Sequence, residues 1–501
     1  MRCSKMDWIT PTVFFPLAWG FVLLIASQSK WGENNASRLA LVGTLITLVF
    51  SIGLLAEYGL QPLNWKFGSF SEYVSYHWLP QLGINLSFGV DGISVPLVLL
   101  TTITMVVVVL SSSKVIERRK ALYYSLIMIS EAGVLGVFTS LDLFVFYIFW
   151  ELVLIPMFFL IGIWGGPRRV YSAYKFLIYT HVGSVAMLVG FFIAYFSTGG
   201  VSFNLMFIAQ QLTSPSFPEY LKVAVFTALV LGFLVKMPVF PFHTWLPDAH
   251  VEAPSPVSVV LASLLLKMGG YGMIRLAFEM IPSVAQRYAY PIMVLGIVSA
   301  VYAALVAYRQ DDVKRMVAFS SISHMGFVLV GVATLTSIGI VGSVFQMFSH
   351  GIIVGSLFLL SGFVGETAGT RQISRLGGLA KLIPRLGGLM TFTSLASVGL
   401  PGLSGFVAEF MILTAAFSHG FAVGISLAAV LALSAGYYMW MLQRMVFSKP
   451  KQVETQGDLS GSELVGLAVF SAIIIILGVY PYLLTSYISP TAGLIVHTTG
   501  W

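Results

Sequence analysis

One cysteine, Cys3, occurs in 501 residues. Its solitude excludes an internal disulfide and any iron–sulfur or zinc site built from cysteine ligands. A free terminal thiol is the simple reading. Charge is equally scarce. Asp, Glu, Lys and Arg make up 9% of the chain, against about 25% in a soluble domain. That is too little to coat a water-facing globule of this size. No GxxxxGK[ST] phosphate loop and no dinucleotide fingerprint opening a helix is present, and no polar stretch is long enough for a flavin domain. The chain is therefore not expected to oxidise a substrate or hydrolyse ATP itself, nor to hold a cofactor. No cleavable signal peptide is expected, since the first apolar run lacks an A-x-A pattern and many further runs follow it.

What is there is oil. Hydrophobic residues make up 57% and the mean hydropathy is +0.90. A spanning helix needs about 20 mainly apolar residues. About fourteen such runs are expected, at 9–27, 38–56, 90–112, 120–139, 141–163, 174–197, 221–241, 254–278, 290–309, 314–334, 338–364, 386–414, 420–447 and 463–487. Segment 57–89 reads as an aromatic-rich loop lying on the membrane surface, and 199–220 as a second polar interruption. The fold class is an all-α polytopic membrane protein.

The net charge of +7 does not point to nucleic acid, because the cations sit in short loops between apolar runs. Nineteen fall in one set of alternate loops, among them Arg118, Arg168, Arg315, Arg371 and Arg444. Six, including Arg2, Lys66, Lys222 and Arg275, fall on the other. The positive-inside rule puts the richer side in the cytoplasm or its equivalent, so both termini are expected on the opposite side.

Against this background a few ionisable residues stand out. Glu151 interrupts FVFYIFWELVLIPMFF, Lys236 LVLGFLVKMPVFPF, Lys267 VVLASLLLKMGGYG and Glu409 GLSGFVAEFMILTAAF. A charge at mid-bilayer costs roughly 2.5–3.5 kcal/mol on insertion scales. Glu151 falls about 15 Å into its span at 1.5 Å per residue, and the two lysines lie similarly deep. Desolvation strips a lysine of its proton and a neighbouring carboxylate restores it, so a Glu–Lys contact that opens and closes is a proton switch. A potential of about 200 mV is worth about 4.6 kcal/mol per charge, within reach of burial plus pairing. A static ion pair fixing helix packing is the alternative, and it weakens as such residues recur. His324 and His350, also in apolar helices, suit a relay near neutral pH, or simple packing. Glu131 lies near one end of its span and reads as accessory. Asp142 reads as a helix cap.

Lys236 precedes Pro238 and Pro241, and Glu409 follows Pro401-Gly402. Proline blocks a continuous helix, and open backbone at membrane depth is tolerated only inside protein or beside water. Two broken helices bearing charge fit an inverted-repeat transporter; plain kinking is the alternative. The stretch HTWLPDAHVEAPSP holds His243, Asp248, His250 and Glu252. Its spacing matches no zinc pattern, so a hydrogen-bonded gating loop near Lys267 is the better reading.

The run HTWLPDAHVEAPSPVSVVLASLLLKMGGYGMIR resembles the hallmark of the antiporter-like subunits of respiratory complex I. FYIFWELVLIPMFFLIGIWGGPRRVYSAYKFLIYT and GLPGLSGFVAEF narrow this to the subunit M (NuoM/NdhD) type, with similarity from about 85 to 445. The resemblance implies a fourteen-helix core with two inverted five-helix repeats: residues 1–119 before them, halves at 120–280 and 288–448, and a final helix in 449–501. It implies that Glu151 and Lys236 form a coupled pair, Lys267 is the central lysine, His324 and His350 lie on relay helices and Glu409 is the terminal carboxylate. It also implies redox-driven proton export in an energy-transducing membrane, beside neighbouring L- and N-type subunits, with flavin and iron–sulfur clusters on partner chains. The electron donor (NADH, ferredoxin or a deazaflavin) and the quinone or phenazine acceptor stay open. The D-type member of a multisubunit cation/proton antiporter, where lysine is usual in place of Glu409, and the ion-pumping arm of a membrane hydrogenase are the alternatives.

Overall fold

The computed structural model describes residues 7–59, 71–451, 457–459 and 461–500. Cys3, Arg2, Lys5 and Lys66 lie outside them. The chain is a helical membrane bundle. In order it runs α1 (Ile9–Ala26), α2 (Lys30–Gly59), a hairpin of β1 (Ser71–Leu79) and β2 (Ile84–Val90), α3 (Ser94–Val115), α4 (Lys120–Thr139), α5 (Leu143–Trp164), α6 (Arg169–Ser197), α7 (Leu205–Thr213) and α8 (Glu219–Lys236). The short α9 (Trp245–Glu252) precedes α10 (Ser255–Val260) and α11 (Leu266–Gly272), which belong to one continuous span, Ser255–Phe278. Then come α12 (Pro282–Tyr308), α13 (Val313–Ala333), α14 (Ser337–Ala368), α15 (Leu379–Leu382), α16 (Pro384–Ser397), α17 (Ser404–Ser418), α18 (Phe421–Met445), α19 (Ser462–Val479) and α20 (Tyr482–Thr499).

Among the described residues, 12 helices are long and apolar enough to cross a membrane. The two other expected spans fall on α8 and on the pair α16 and α17, which are not among the 12. Several boundaries differ from those expected. The run at 386–414 is divided by the turn holding Gly399 and Gly402, both at positive φ. The run at 463–487 ends at Val479, and α20 starts afresh after Pro481. The 199–220 interruption contains α7.

The aromatic segment before residue 90 is not simply a surface loop, since its described part forms the hairpin. Val74 pairs with Phe88 and Tyr76 with Leu86. Apolar, β-branched and aromatic residues alternate there at strand rather than helix period. The hairpin grips the α4–α5 junction: the Ser87 carbonyl accepts from the Leu141 amide at 2.8 Å. Asp142 caps α5 through Phe144 N and Val145 N and also accepts from Asn85 N at 3.1 Å.

Three spans, Ser255–Phe278, α13 and α14, are buried on every side through their apolar stretch. A helix apolar all round belongs in the core of a bundle. These three carry Lys267, His324 and His350, so packing places these ionisable groups in the buried interior of the bundle. Three cations expected in water-facing loops are instead buried. Lys222 donates to the Ser214 carbonyl at 3.1 Å, Lys314 to the Ala253 carbonyl at 2.5 Å, and Arg275 pairs with Asp91 and Glu279. Each stays inside because a fixed acceptor replaces water.

Candidate proton-relay site

Lys267 stands between two π-helical turns, Leu261–Leu265 and Met273–Phe278. Such turns widen the helix and recur at functional positions. The Ala262 carbonyl, in the first of these turns, accepts from Lys267 Nζ. Glycines clear the space around it. A Cβ on Gly269 would fall 2.7 Å from Met237 Cγ, and one on Gly270 would meet the Met347 sulfur. Met237 follows Lys236, so this close approach brings the broken end of α8 beside the Lys267 helix.

From Lys267 a line of polar groups runs on through the core. Its Nζ is 2.7 Å from His350 Nδ1. The His350 and His324 rings lie 5.4 Å apart, edge to face. His324 Nδ1 lies 3.4 Å from Glu409 Oε1 and 3.2 Å from Gln346 Nε2. All are at most 5% exposed. His324, Gln346, His350, Ser397 and Glu409 line a small cavity of about 10 Å³, at the lower limit for one water. The break between α16 and α17 admits Glu409 to this line. A Cβ on Gly399 would collide with Glu409 Oε2. A hydroxyl branch leaves the same point: Tyr438 Oη is 3.0 Å from both Ser397 Oγ and Ser320 Oγ.

In the other half, the two members of the expected Glu151–Lys236 pair each also meet a further side chain. Glu151 Oε2 lies 3.2 Å from His181 Nδ1 on α6, and the Lys236 ammonium rests 5.1 Å above the Trp150 ring. A cation over an indole face is held by the ring quadrupole. α8 ends at Lys236, with Pro238 and Pro241 in the turn beyond. Glu131, expected near a helix end, is instead the twelfth residue of a 20-residue helix. It is fully buried and neither oxygen has a hydrogen-bond partner.

The four polar residues of the 243–252 stretch diverge. His243 packs against Phe240 and Tyr302. Asp248 binds Lys175 Nζ at 2.7 Å. His250 is 0% exposed, stacks on Phe358 at 4.3 Å, and neither ring nitrogen has a hydrogen-bond partner. Glu252 accepts from Arg168 N at 2.8 Å. Among the described residues, no three His, Cys, Asp or Glu are placed to share a metal ion. Glu252 also lines a polar vestibule of about 390 Å³ with Lys314, Glu366, Arg371 and Ser255. It opens beside the basic loops, and Ser255 begins the span that carries Lys267.

Sequence reasoning missed His181, Gln346, Tyr438 and the Arg275–Asp91–Glu279 cluster. His181 carried the same signal as the others, an ionisable group inside an apolar run. Gln346 and Tyr438 carried none, because a lone glutamine or tyrosine in a membrane helix is ordinary.

Fold and site together define a multi-pass membrane protein with a line of ionisable side chains through its core. Residues 140–434 match the family described as NADH:quinone oxidoreductase/Mrp antiporter, TM. The chain is 40% identical over 458 residues to F(420)H(2) dehydrogenase subunit M of Methanosarcina mazei, covering 90% of each. It is 39% identical to NADH-quinone oxidoreductase subunit M of Rhodobacter capsulatus, covering 97% of this chain and 95% of that one. A chain of respiratory complex I from Thermus thermophilus superposes with TM-score 0.88 at 30% identity, over 98% of this chain and 100% of that one. A chain of the Mrp complex from Dietzia, at 20% identity and TM-score 0.86, shares the fold. The chain belongs to the NADH:quinone oxidoreductase/Mrp antiporter transmembrane family, and its relatives are of the subunit M type.

Proposed function

We propose that this chain is the antiporter-like, proton-carrying membrane subunit of a complex I-like pump driven by electron transfer to a quinone-like carrier. The observation that carries the reading is the buried Lys267–His350–His324–Glu409 line. Groups this deep are retained at a cost, and these stand close enough for a proton to pass along them with little rearrangement. The vestibule at the basic end is the intake. Lys314 and His250 flank the way inward, with His243, Asp248 and the 237–244 turn shaping the approach. Lys267 takes the proton and hands it to His350. His324 passes it to Glu409, which releases it on the far side.

The Glu151–Lys236 pair sets the charge beside Lys267. Removing Glu151 from Lys236 favours loss of a lysine proton, and restoring it favours uptake. On this reading residues 120–280 and 288–448 are two inverted halves, the first ending in Lys267 and the second in Glu409, with Glu131 accessory to the first. The redox chemistry takes place on partner chains, which supply the flavin and iron–sulfur clusters. Neighbouring L- and N-type subunits pack beside this one in an energy-transducing membrane, with both termini on the non-cytoplasmic side.

The test is to reconstitute the assembled complex in sealed vesicles and follow acidification while electrons flow. Lys267→Met and Glu409→Gln should each abolish or strongly reduce proton movement per electron. Unchanged pumping in either would overturn the reading.

A further inference from the structure

His181 is out of place for a packing residue. It lies about 18 Å along α6 at 1.5 Å per residue, and that helix has 29 residues, so the ring is near mid-membrane. Its side chain is 53% exposed. Ile178, Val182 and Val185 around it are exposed and apolar, a surface suited to hydrocarbon. Ionisable groups at this depth nearly always face a bundle interior or a watery cavity. This one sits on the outer face, where a leucine would cost nothing, and turns Nδ1 onto Glu151 Oε2 at 3.2 Å.

Glu151 is poised between two partners. One oxygen meets His181, while the other, Oε1, is buried and has no hydrogen-bond partner. Lys236, which would otherwise claim the carboxylate, rests on Trp150, the residue beside Glu151. The geometry is that of a carboxylate drawn off its lysine by a histidine.

We propose that His181 is a proton-exchanging partner of Glu151 that competes with Lys236 for it, and that it connects the first half of the relay to the lateral face of the subunit. This rests on the reading of Glu151 as a relay residue. In the step, an imidazolium at His181 gives its Nδ1 proton to the Glu151 carboxylate. A neutral ring and a carboxylic acid result, with no change in total charge. The neutral acid no longer holds Lys236 electrostatically. Return of the acid's proton to the ring resets the pair; where that proton passes instead to a Lys236 that has given its own proton onward, an acid on a subunit packed against the lateral face reprotonates the ring.

The experiment uses the whole complex in vesicles, with His181→Gln, His181→Leu and, in parallel, Lys267→Met. Glutamine can keep a hydrogen bond to Glu151 but cannot exchange a proton; leucine can do neither. Both His181 variants are expected to assemble, carry electrons and translocate fewer protons per electron pair than the parent. Parent-level pumping by His181→Gln would overturn the proposal, reducing His181 to a hydrogen-bonding or packing role, and stands as the deciding result should the leucine variant fail to assemble. If Lys267→Met abolishes pumping while both His181 variants pump fully, this inference alone fails. If Lys267→Met pumps normally, the relay reading itself fails.

Discussion

Lys267 Nζ and His350 Nδ1 lie 2.7 Å apart although 83 residues separate them in the chain. The contact joins two helices that are buried on all sides, so neither side chain has water to fall back on. Exchange between them is the shortest step in the line. Replacing either, as Lys267→Met or His350→Ala, should slow proton transfer by about 100-fold or more, the scale of losing a positioned acid or base. Acidification of vesicles holding the assembled complex measures it.

Gly399 is a second point of leverage. Its φ of +81° disfavours any other residue by roughly 1–2 kcal/mol, and a Cβ there would strike Glu409 Oε2. Gly399→Ala should therefore lower both thermal stability and pumping. Gly388, in the interior of α16, would set its Cβ against nothing within 4 Å. Gly388→Ala should leave pumping intact and stabilise by about 1 kcal/mol, the helix preference for alanine. Thermal unfolding in detergent, read beside pumping, compares the two.

Arg275 holds two carboxylates, with Glu279 Oε2 at 2.5 Å and Asp91 on its other side. Removing one partner of a buried ion network strands the rest, at a cost of roughly 3–5 kcal/mol. Arg275→Met should reduce the amount of folded, assembled protein in the membrane. Arg287, which does not enter this cluster, provides the control, and Arg287→Met should be near neutral. Quantifying assembled complex on native gels distinguishes them.

Tyr438 bridges Ser320 and Ser397 at 3.0 Å each. Tyr438→Phe removes both contacts and leaves two buried hydroxyls without that partner, worth about 1–3 kcal/mol. Pumping should fall only in part, since the His324–Glu409 contact stays. A loss as complete as that in Glu409→Gln would instead make the hydroxyl branch the main exit. Proton flux measured side by side for the two variants decides between them.

Depth was legible in the sequence and pairing was not. An apolar run sets a span, and at 1.5 Å per residue the position of Glu151 or Lys267 within it sets a height in the membrane. Proline and glycine after Lys236 and before Glu409 marked where helices break. The 71–90 hairpin was hidden because its aromatic residues fit a membrane surface as well as a strand. Arg275 and Lys314 looked like loop charges because their acceptors, Asp91 and the Ala253 carbonyl, lie 184 and 61 residues away.

By itself, then, the order of residues determined that this chain lives in a bilayer and that Glu151, Lys236, Lys267, His324, His350 and Glu409 lie in its apolar runs, and its longer motifs carried the family resemblance. The bilayer and the depth of those groups follow from local chemistry, the cost of moving each side chain from water into oil. Tertiary packing alone decided that Glu151 meets His181, that Lys236 lies on Trp150, and that Lys267, His350, His324 and Glu409 form one line. Helix rotation and contact are settled by how distant surfaces interlock, and no periodicity within a single helix records its neighbour.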